Sequence, residues 1–246
     1  MTIDRIIQQK LKFLKPHLGE QFEIELTTQA YDVANPRIRQ QLLSEMKESA
    51  RRNRCGLDIE HWRENVIASM YPSSIFQGPR GDRLLFNSEP KDLIESRNAL
   101  GSVVCHELLH EVFRGRFVQG MIDELDFVTY PLLSEGFSEY GSLDIFTTLY
   151  PLERSGITKR KENIIALASE YQTESEKRIP LEKDSSQRRW ERLTDYDAHT
   201  LEYIFFRDHL GENANLKTFI DLTVEISREQ REEFQQRTGL FLRKYV

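Results

Sequence analysis

Residues 105–115 read CHELLHEVFRG and contain the five-residue pattern His-Glu-X-X-His. Apolar residues flank the motif on most sides of a predicted helix, Asn98–Arg114, which we expect to end at Gly115 as its C-cap. They are Leu100, Val103, Val104, Leu108, Leu109, Val112 and Phe113. Because residues four apart lie on the same face of a helix, His106 and His110 can bind one ion. The motif therefore predicts a metal site on a largely buried helix.

Glu107 lies next to the first histidine, where its carboxylate can reach a water molecule on the ion. A buried helix should not hold two imidazoles and a carboxylate without strong partners, which disfavours histidines satisfied only by core hydrogen bonds. Zinc suits these ligands because imidazole binds it well and because the ion lowers the pKa of bound water to near neutrality. We therefore expect Zn²⁺ as the cofactor and Glu107 as the general base.

A catalytic zinc takes three protein ligands and leaves one position open, so a third ligand is needed. One arrangement places a third histidine six residues after the second, but Arg116 occupies that position here. The best candidate is Glu135, in the segment LLSEGFSEYGSLD that begins a second helix. Glu139 lies one turn further along the same face, where it can accept a hydrogen bond from a ligand histidine. Rival third ligands in an irregular acidic stretch are Asp123, Glu124 and Asp126.

The rest of the chain combines a few short strands with a helical majority, which favours an α+β domain. Strands are predicted at Phe22–Leu26, Val66–Tyr71 and Arg83–Asn87. A first helix is predicted over residues 3–15, closed by Pro16, and the pattern is mostly helical after Lys91. Later helices are predicted at about 131–150, 158–171, 196–210, 216–226 and 229–238, with Gly211 as a C-cap. Residues 172–192 are predicted to be an exposed connection, either a solvated loop or a substrate lid.

The composition disfavours several classes of protein. The 246 residues include 34 basic and 40 acidic side chains, and the formal net charge of −6 disfavours a general nucleic-acid binder. Two cysteines, Cys55 and Cys105, cannot form a disulfide framework. The N-terminus lacks the apolar core of a signal peptide, and no stretch approaches the ~20 apolar residues of a membrane span. We therefore expect a cytoplasmic protein with no nucleic-acid or membrane partner, and the oligomeric state stays open.

The segments HELLHEVF and LLSEGFSEY together resemble the gluzincin metallopeptidases, and most of all the catalytic domain of the aminopeptidase-N family. In that family a helix reading NEGFAxY follows the HExxH motif, and its glutamate is the third zinc ligand. The resemblance implies this role for Glu135, although the 24 residues between His110 and Glu135 are more than is usual there. The similar ExxxD pattern of thermolysin-type enzymes implies that Glu139 orients a ligand histidine.

The resemblance extends to DYDAHTLEYIFFRDHLGENANLKTFIDLTVE, where the family has a tyrosine whose hydroxyl stabilises the tetrahedral intermediate. It implies this role for Tyr196, with His199 as the alternative, and it covers about residues 82–246 in all. The stretch GDRLLFN lacks the glutamate that binds a substrate's free α-amine in the family, so the resemblance does not extend to aminopeptidase specificity. Arg83–Asn87 is either an edge strand that binds an extended peptide or a plain core strand.

The residues and the resemblance together predict one zincin-like α+β domain over residues 1–246. Residues 1–90 would contain a small mixed sheet, and residues 91–246 would be mostly helical and hold the metal site. The expected activity is zinc-dependent hydrolysis of peptide bonds in a peptide or protein substrate. Two other hypotheses stay open: a zinc-stabilised regulatory or binding module that does not cleave, and a regulatory protease with a single protein substrate.

Overall fold

The structure is a computed structural model that describes residues 3–41, 44, 68–71, 83–86, 100–121, 129–177, 198–211, 215–221 and 228–245. The chain divides into two compact units, Met1–Val112 and Phe113–Val246. The boundary between them falls inside one continuous helix, Leu100–Met121. Helices dominate the described residues, and a small sheet lies in the first unit. The predicted combination of a small mixed sheet with a helical majority is confirmed at this level.

Helix α1 spans Ile3–Phe22 because one apolar stripe continues along its whole length. The stripe consists of Ile7, Leu11, Leu14, Leu18 and Phe22, which are at most 4% exposed and recur every three or four residues. The prediction that Pro16 ends this helix is wrong, because the buried stripe continues past the proline. The predicted strand Phe22–Leu26 is also wrong, because Phe22 is the last residue of α1 and the chain turns at Glu23, whose φ is 51°.

The sheet of the first unit contains three short strands: β1 Gln29–Asp32, β2 Ala68–Tyr71 and β3 Arg83–Phe86. Strand β3 lies in the centre, parallel to β1 and antiparallel to β2, so the sheet is mixed. The predicted strands Val66–Tyr71 and Arg83–Asn87 are confirmed over Ala68–Tyr71 and Arg83–Phe86, and their remaining residues lie outside the described part of the chain. Strand β1 was not predicted.

Strand β3 is a core strand. All four of its residues are buried, and the Arg83 guanidinium lies 5.5 Å from the centre of the Tyr31 ring in β1. Its backbone is paired with β1 on one side and with β2 on the other. The hypothesis that Arg83–Asn87 binds peptide as an edge strand is therefore wrong, because a strand that is paired on both edges has no backbone groups left for a third partner.

Helix α2, Leu100–Met121, carries the His-Glu-X-X-His motif and is longer than predicted. The apolar residues before the unit boundary are at most 1% exposed: Leu100, Val104, Cys105, Leu108, Leu109 and Val112. The predicted end at Gly115 is wrong, since the helix continues for another six residues to Met121. A glycine ends a helix by taking the left-handed conformation, and Gly211 does so with a φ of 83°, which confirms that predicted cap.

The described part of the second unit is almost entirely helical. The helices after α2 are α3 Thr129–Tyr140, α4 Arg154–Lys177, α5 Ala198–Leu210, α6 Leu216–Asp221 and α7 Arg228–Tyr245. Between α3 and α4 lie a π-helical turn, Gly141–Ile145, and two 3-10 turns, Thr147–Leu149 and Pro151–Glu153. The predicted single helix over 131–150 is therefore wrong beyond Tyr140. Residues 172–177 belong to α4 rather than to the predicted connection, whose remainder lies outside the described residues.

Aromatic packing fixes the position of α3. The Phe137 ring stacks on Phe219 of α6 at a centroid distance of 4.5 Å and an interplanar angle of 8°. Phe206 of α5 meets the same ring edge-on at 5.9 Å. Such pairs contribute about 0.5–1.5 kcal/mol each beyond the apolar area that they bury. The helix that carries Glu135 is thereby held by side chains from two other helices.

Gly136 brings α3 and α5 close together. A Cβ atom at this position would lie 2.5 Å from the backbone oxygen of Glu202 and 3.0 Å from Cβ of Phe206. Real Cβ atoms essentially never lie this close to a backbone oxygen. The glycine after Glu135 is therefore required by the packing of the two helices.

His209 of α5 makes the stability of the second unit depend on pH. Burial and, to a smaller extent, the Arg237 guanidinium lower the pKa of its imidazole, Glu233 partly opposes them, and together they bring it from 6.5 to about 4. Because the folded pKa lies below the unfolded one, the unfolded chain binds the proton first as the pH falls. Stability is therefore complete above pH 6.5, and roughly 3 kcal/mol is lost by pH 4.

Urea unfolding between pH 7 and pH 4, with a chelator present throughout, measures this loss. We expect the free energy of unfolding of His209→Gln to fall less steeply with decreasing pH than that of the wild type. The chelator removes any contribution from metal release. Equal slopes for the two proteins would show that His209 does not titrate as its burial requires.

Candidate metal centre

Three potential ligand groups converge at the motif. The Nε2 atoms of His106 and His110 lie 3.1 Å apart, and the two ring planes are inclined at 81°. The spacing of four residues in α2 brings the two rings together. One ligand atom from each of His106, His110 and Glu135 lies within 4.8 Å of the other two. These three groups could hold a metal ion.

The distances suit zinc. Two nitrogens that bind one tetrahedral zinc at about 2.0–2.1 Å lie about 3.3 Å apart, close to the 3.1 Å between the two Nε2 atoms. The whole group spreads up to 4.8 Å, which is wider than the about 3.3 Å between two ligand atoms of a tetrahedral zinc site. Two imidazoles and one carboxylate are a common donor set of catalytic zinc sites, and they leave one position open.

The other residues predicted for catalysis are described only in part. Glu107 is 8% exposed and lies in α2 between the two histidines. His199 lies in α5, but its side chain is outside the described residues, as is Tyr196 entirely. The rival ligands Asp123, Glu124 and Asp126 also lie outside the described residues. The roles predicted for all of these residues stay predictions.

Glu139 is buried and paired with a cation. Its side chain is 1% exposed, and Oε1 accepts a hydrogen bond from the guanidinium of Arg160 in α4. A buried carboxylate needs such a partner, because removing a charge from water is costly. The predicted hydrogen bond to a ligand histidine stays a prediction. Sequence reasoning missed Arg160, because its position beside Glu139 depends on tertiary packing.

Glu111 is the functional candidate that sequence reasoning missed near the motif. It follows His110, is 8% exposed, and accepts hydrogen bonds with both carboxylate oxygens. Oε1 accepts from the backbone N and the hydroxyl of Thr27, at 2.6 and 2.9 Å. Oε2 accepts from the backbone N of Thr28 at 3.3 Å and from its hydroxyl. One signal was available: a second glutamate one turn after Glu107 on a buried helix requires strong partners.

A second polar cluster follows α3. Tyr203 donates a hydrogen bond of 2.7 Å to Oδ2 of Asp144, and the Lys161 ammonium donates to Oδ1. Burial and the charge of Asp144 both raise the pKa of the Tyr203 hydroxyl, and they raise that of Tyr140 in the same way. Both hydroxyls therefore stay protonated at neutral pH. Sequence reasoning did not identify this cluster, which ties the π-helical turn to α4 and α5.

No protein-family model, no curated protein and no solved structure matches the chain. Among the helices that the structure describes, none combines the length and the apolar character needed to cross a membrane. The chemistry of the three converging groups is therefore the main guide to function.

Proposed function

We propose that the protein is a zinc-dependent peptidase in which His106, His110 and Glu135 hold the metal. The observation that carries the proposal is the convergence of these three groups within 4.8 Å of one another. Two imidazoles and one carboxylate that converge in this way are a donor set that catalytic zinc sites commonly use. A purely structural zinc site would not need a carboxylate at the position of Glu107, next to the first histidine.

The zinc ion, when bound, supplies positive charge that acidifies water and stabilises an oxyanion. Glu107 takes a proton from the attacking water and later gives it to the leaving amine. The proposal is supported by the place of Glu107 next to His106 in the motif, where a carboxylate can reach a water on the ion, and by its 8% exposure. The same residue therefore acts first as a base and then as an acid.

The resemblance to the gluzincins supports a zincin-like fold in a single domain of 246 residues. By the same resemblance, the oxyanion receives a hydrogen bond from Tyr196, with His199 as the alternative donor, and Glu139 orients a ligand histidine. The substrate is a peptide or protein, and the compartment is the cytoplasm.

Metal analysis tests this proposal. We expect the purified protein to hold close to one zinc per chain, and Glu135→Gln to weaken zinc binding by at least ~100-fold because a direct ligand is weakened. The control is Glu170→Gln, which makes the same chemical change at an exposed position of α4. A wild-type protein that takes up no zinc would overturn the proposal. Zinc uptake without hydrolysis of any peptide or protein would instead point to a zinc-stabilised binding module.

A further inference from the structure

We propose that Glu111 is a positioning residue of the metal centre, which fixes the rotation of helix α2 by binding the Thr27–Thr28 segment. This inference rests on the proposed peptidase function. It adds a residue that is not one of the three candidate ligands and that acts through His110 and Glu107. The Thr27–Thr28 segment leads directly into strand β1, so the contact joins the helix to the sheet within the first unit.

The geometry uses the full acceptor capacity of the carboxylate. Thr27 and Thr28 each donate from the backbone N and from the hydroxyl, the first to Oε1 and the second to Oε2. A carboxylate has about four lone-pair sites, and four donors occupy them. Thr28 is 2% exposed, so its two bonds form away from bulk water, where they are stronger and more directional, whereas Thr27 is exposed and its two bonds are half-buried.

Because Glu111 lies next to His110 in α2, its contact with Thr27 and Thr28 controls the orientation of the helix at the metal centre. Glu107 and Glu111 are four residues apart and share a helix face, and His110 immediately precedes Glu111. On a helix with an outer radius of about 5–6 Å, a rotation of 10° moves a side-chain tip by about 1 Å. A misplacement of about 1 Å can cost about 10²-fold in rate. Small rotations of α2 therefore matter at the metal centre, and the contact one residue away resists them.

A role in packing alone does not explain the choice of residue. Removing a carboxylate from water costs free energy, and a well-packed apolar side chain at the same place is often as stabilising or more so. The carboxylate of Glu111 instead defines the orientation of α2, because its four hydrogen bonds are satisfied only in a narrow range of helix orientations. Both donating residues also carry hydroxyls, which complete the set of four.

The test compares Glu111→Gln and Thr28→Val with the matched control Thr28→Ser, which keeps the hydroxyl. Zinc affinity is measured by competition with a chromophoric chelator. The visible spectrum of the Co²⁺-substituted protein reports the geometry of the metal site. Steady-state kinetics on one peptide substrate give kcat and KM. All variants are compared at a temperature at which circular dichroism shows them folded. We expect Glu111→Gln and Thr28→Val to lower zinc affinity or kcat by about 10- to 100-fold and to alter the Co²⁺ spectrum. KM should change by less than about twofold, and Thr28→Ser should retain wild-type values.

The outcomes separate the two proposals. If the wild type binds metal and hydrolyses peptide, while both variants keep its zinc affinity, kcat and Co²⁺ spectrum and lose only thermal stability, the positioning role is overturned and the peptidase stands. If the wild type takes up neither Co²⁺ nor Zn²⁺, the peptidase proposal fails and the role of Glu111 fails with it. Because Thr28→Val leaves the carboxylate in place, it decides the question even if Glu111→Gln does not fold.

Discussion

Glu107→Gln should lower kcat on a peptide substrate by about 10²–10⁴-fold while leaving the zinc content unchanged. The amide has nearly the shape of the carboxylate but cannot accept a proton from water. The three candidate ligands His106, His110 and Glu135 are untouched, so metal binding should survive. Steady-state kinetics and metal analysis on the same preparation measure both quantities.

The informative comparison for this variant is Glu170→Gln, the same exchange on an exposed helix surface. That control should retain wild-type kcat and zinc. Full activity in Glu107→Gln would show that another group is the base. Loss of zinc together with activity would mean that Glu107 serves the metal directly rather than the proton.

Gly136→Ala should destabilise the protein by about 1–3 kcal/mol, the range expected for overpacking. The added Cβ would lie 2.5 Å from the backbone oxygen of Glu202, and a backbone carbonyl cannot move aside as a flexible side chain can. Alanine also gains up to about 1 kcal/mol in helix propensity over glycine, so the clash has to outweigh that gain. Relief of the clash moves α3, and with it Glu135, so zinc affinity should fall as well.

Gly239→Ala provides the matched control. Gly239 lies inside α7, and a Cβ there meets no atom within 4 Å. This variant should therefore be as stable as the wild type or more stable by up to about 1 kcal/mol, with unchanged zinc affinity. Chemical unfolding of both variants gives the comparison. Equal stability of Gly136→Ala and Gly239→Ala would mean that α3 and α5 are not packed as closely as the geometry requires.

The sequence allowed good predictions where a local pattern decides the structure. The helix around His106 and His110 is recognised from its apolar flanks, and the same-face rule places the two imidazoles together. Glu135 was predicted from the needs of zinc, and its position near the histidines agrees with that reasoning. These inferences depend on spacing within one helix and on ligand chemistry, which a sequence displays directly.

The predictions were wrong or incomplete where contacts with distant parts of the chain determine the structure. Pro16 can end an isolated helix, but a buried stripe on both sides of it keeps α1 intact to Phe22. Gly115 has the composition of a cap, yet α2 continues beyond it. The edge or centre position of Arg83–Asn87 depends on strand order, which short strands do not reveal. The partners of Glu111 are 83 and 84 residues away in the chain, and no local pattern connects them.

The π-helical turn Gly141–Ile145 changes the direction in which side chains point relative to those of the preceding helix α3. A π turn accommodates about one residue more than an α-helical turn, and each residue of an α-helix rotates the chain by about 100°. Glu135 and Glu139 precede the turn, whereas Asp144 lies within it and meets Tyr203. Glu135 and Glu139 therefore point in directions that differ from the direction in which Asp144 meets its partners. An insertion or deletion within Gly141–Ile145 would therefore change the direction of Asp144 without altering the spacing of Glu135 and Glu139 within α3.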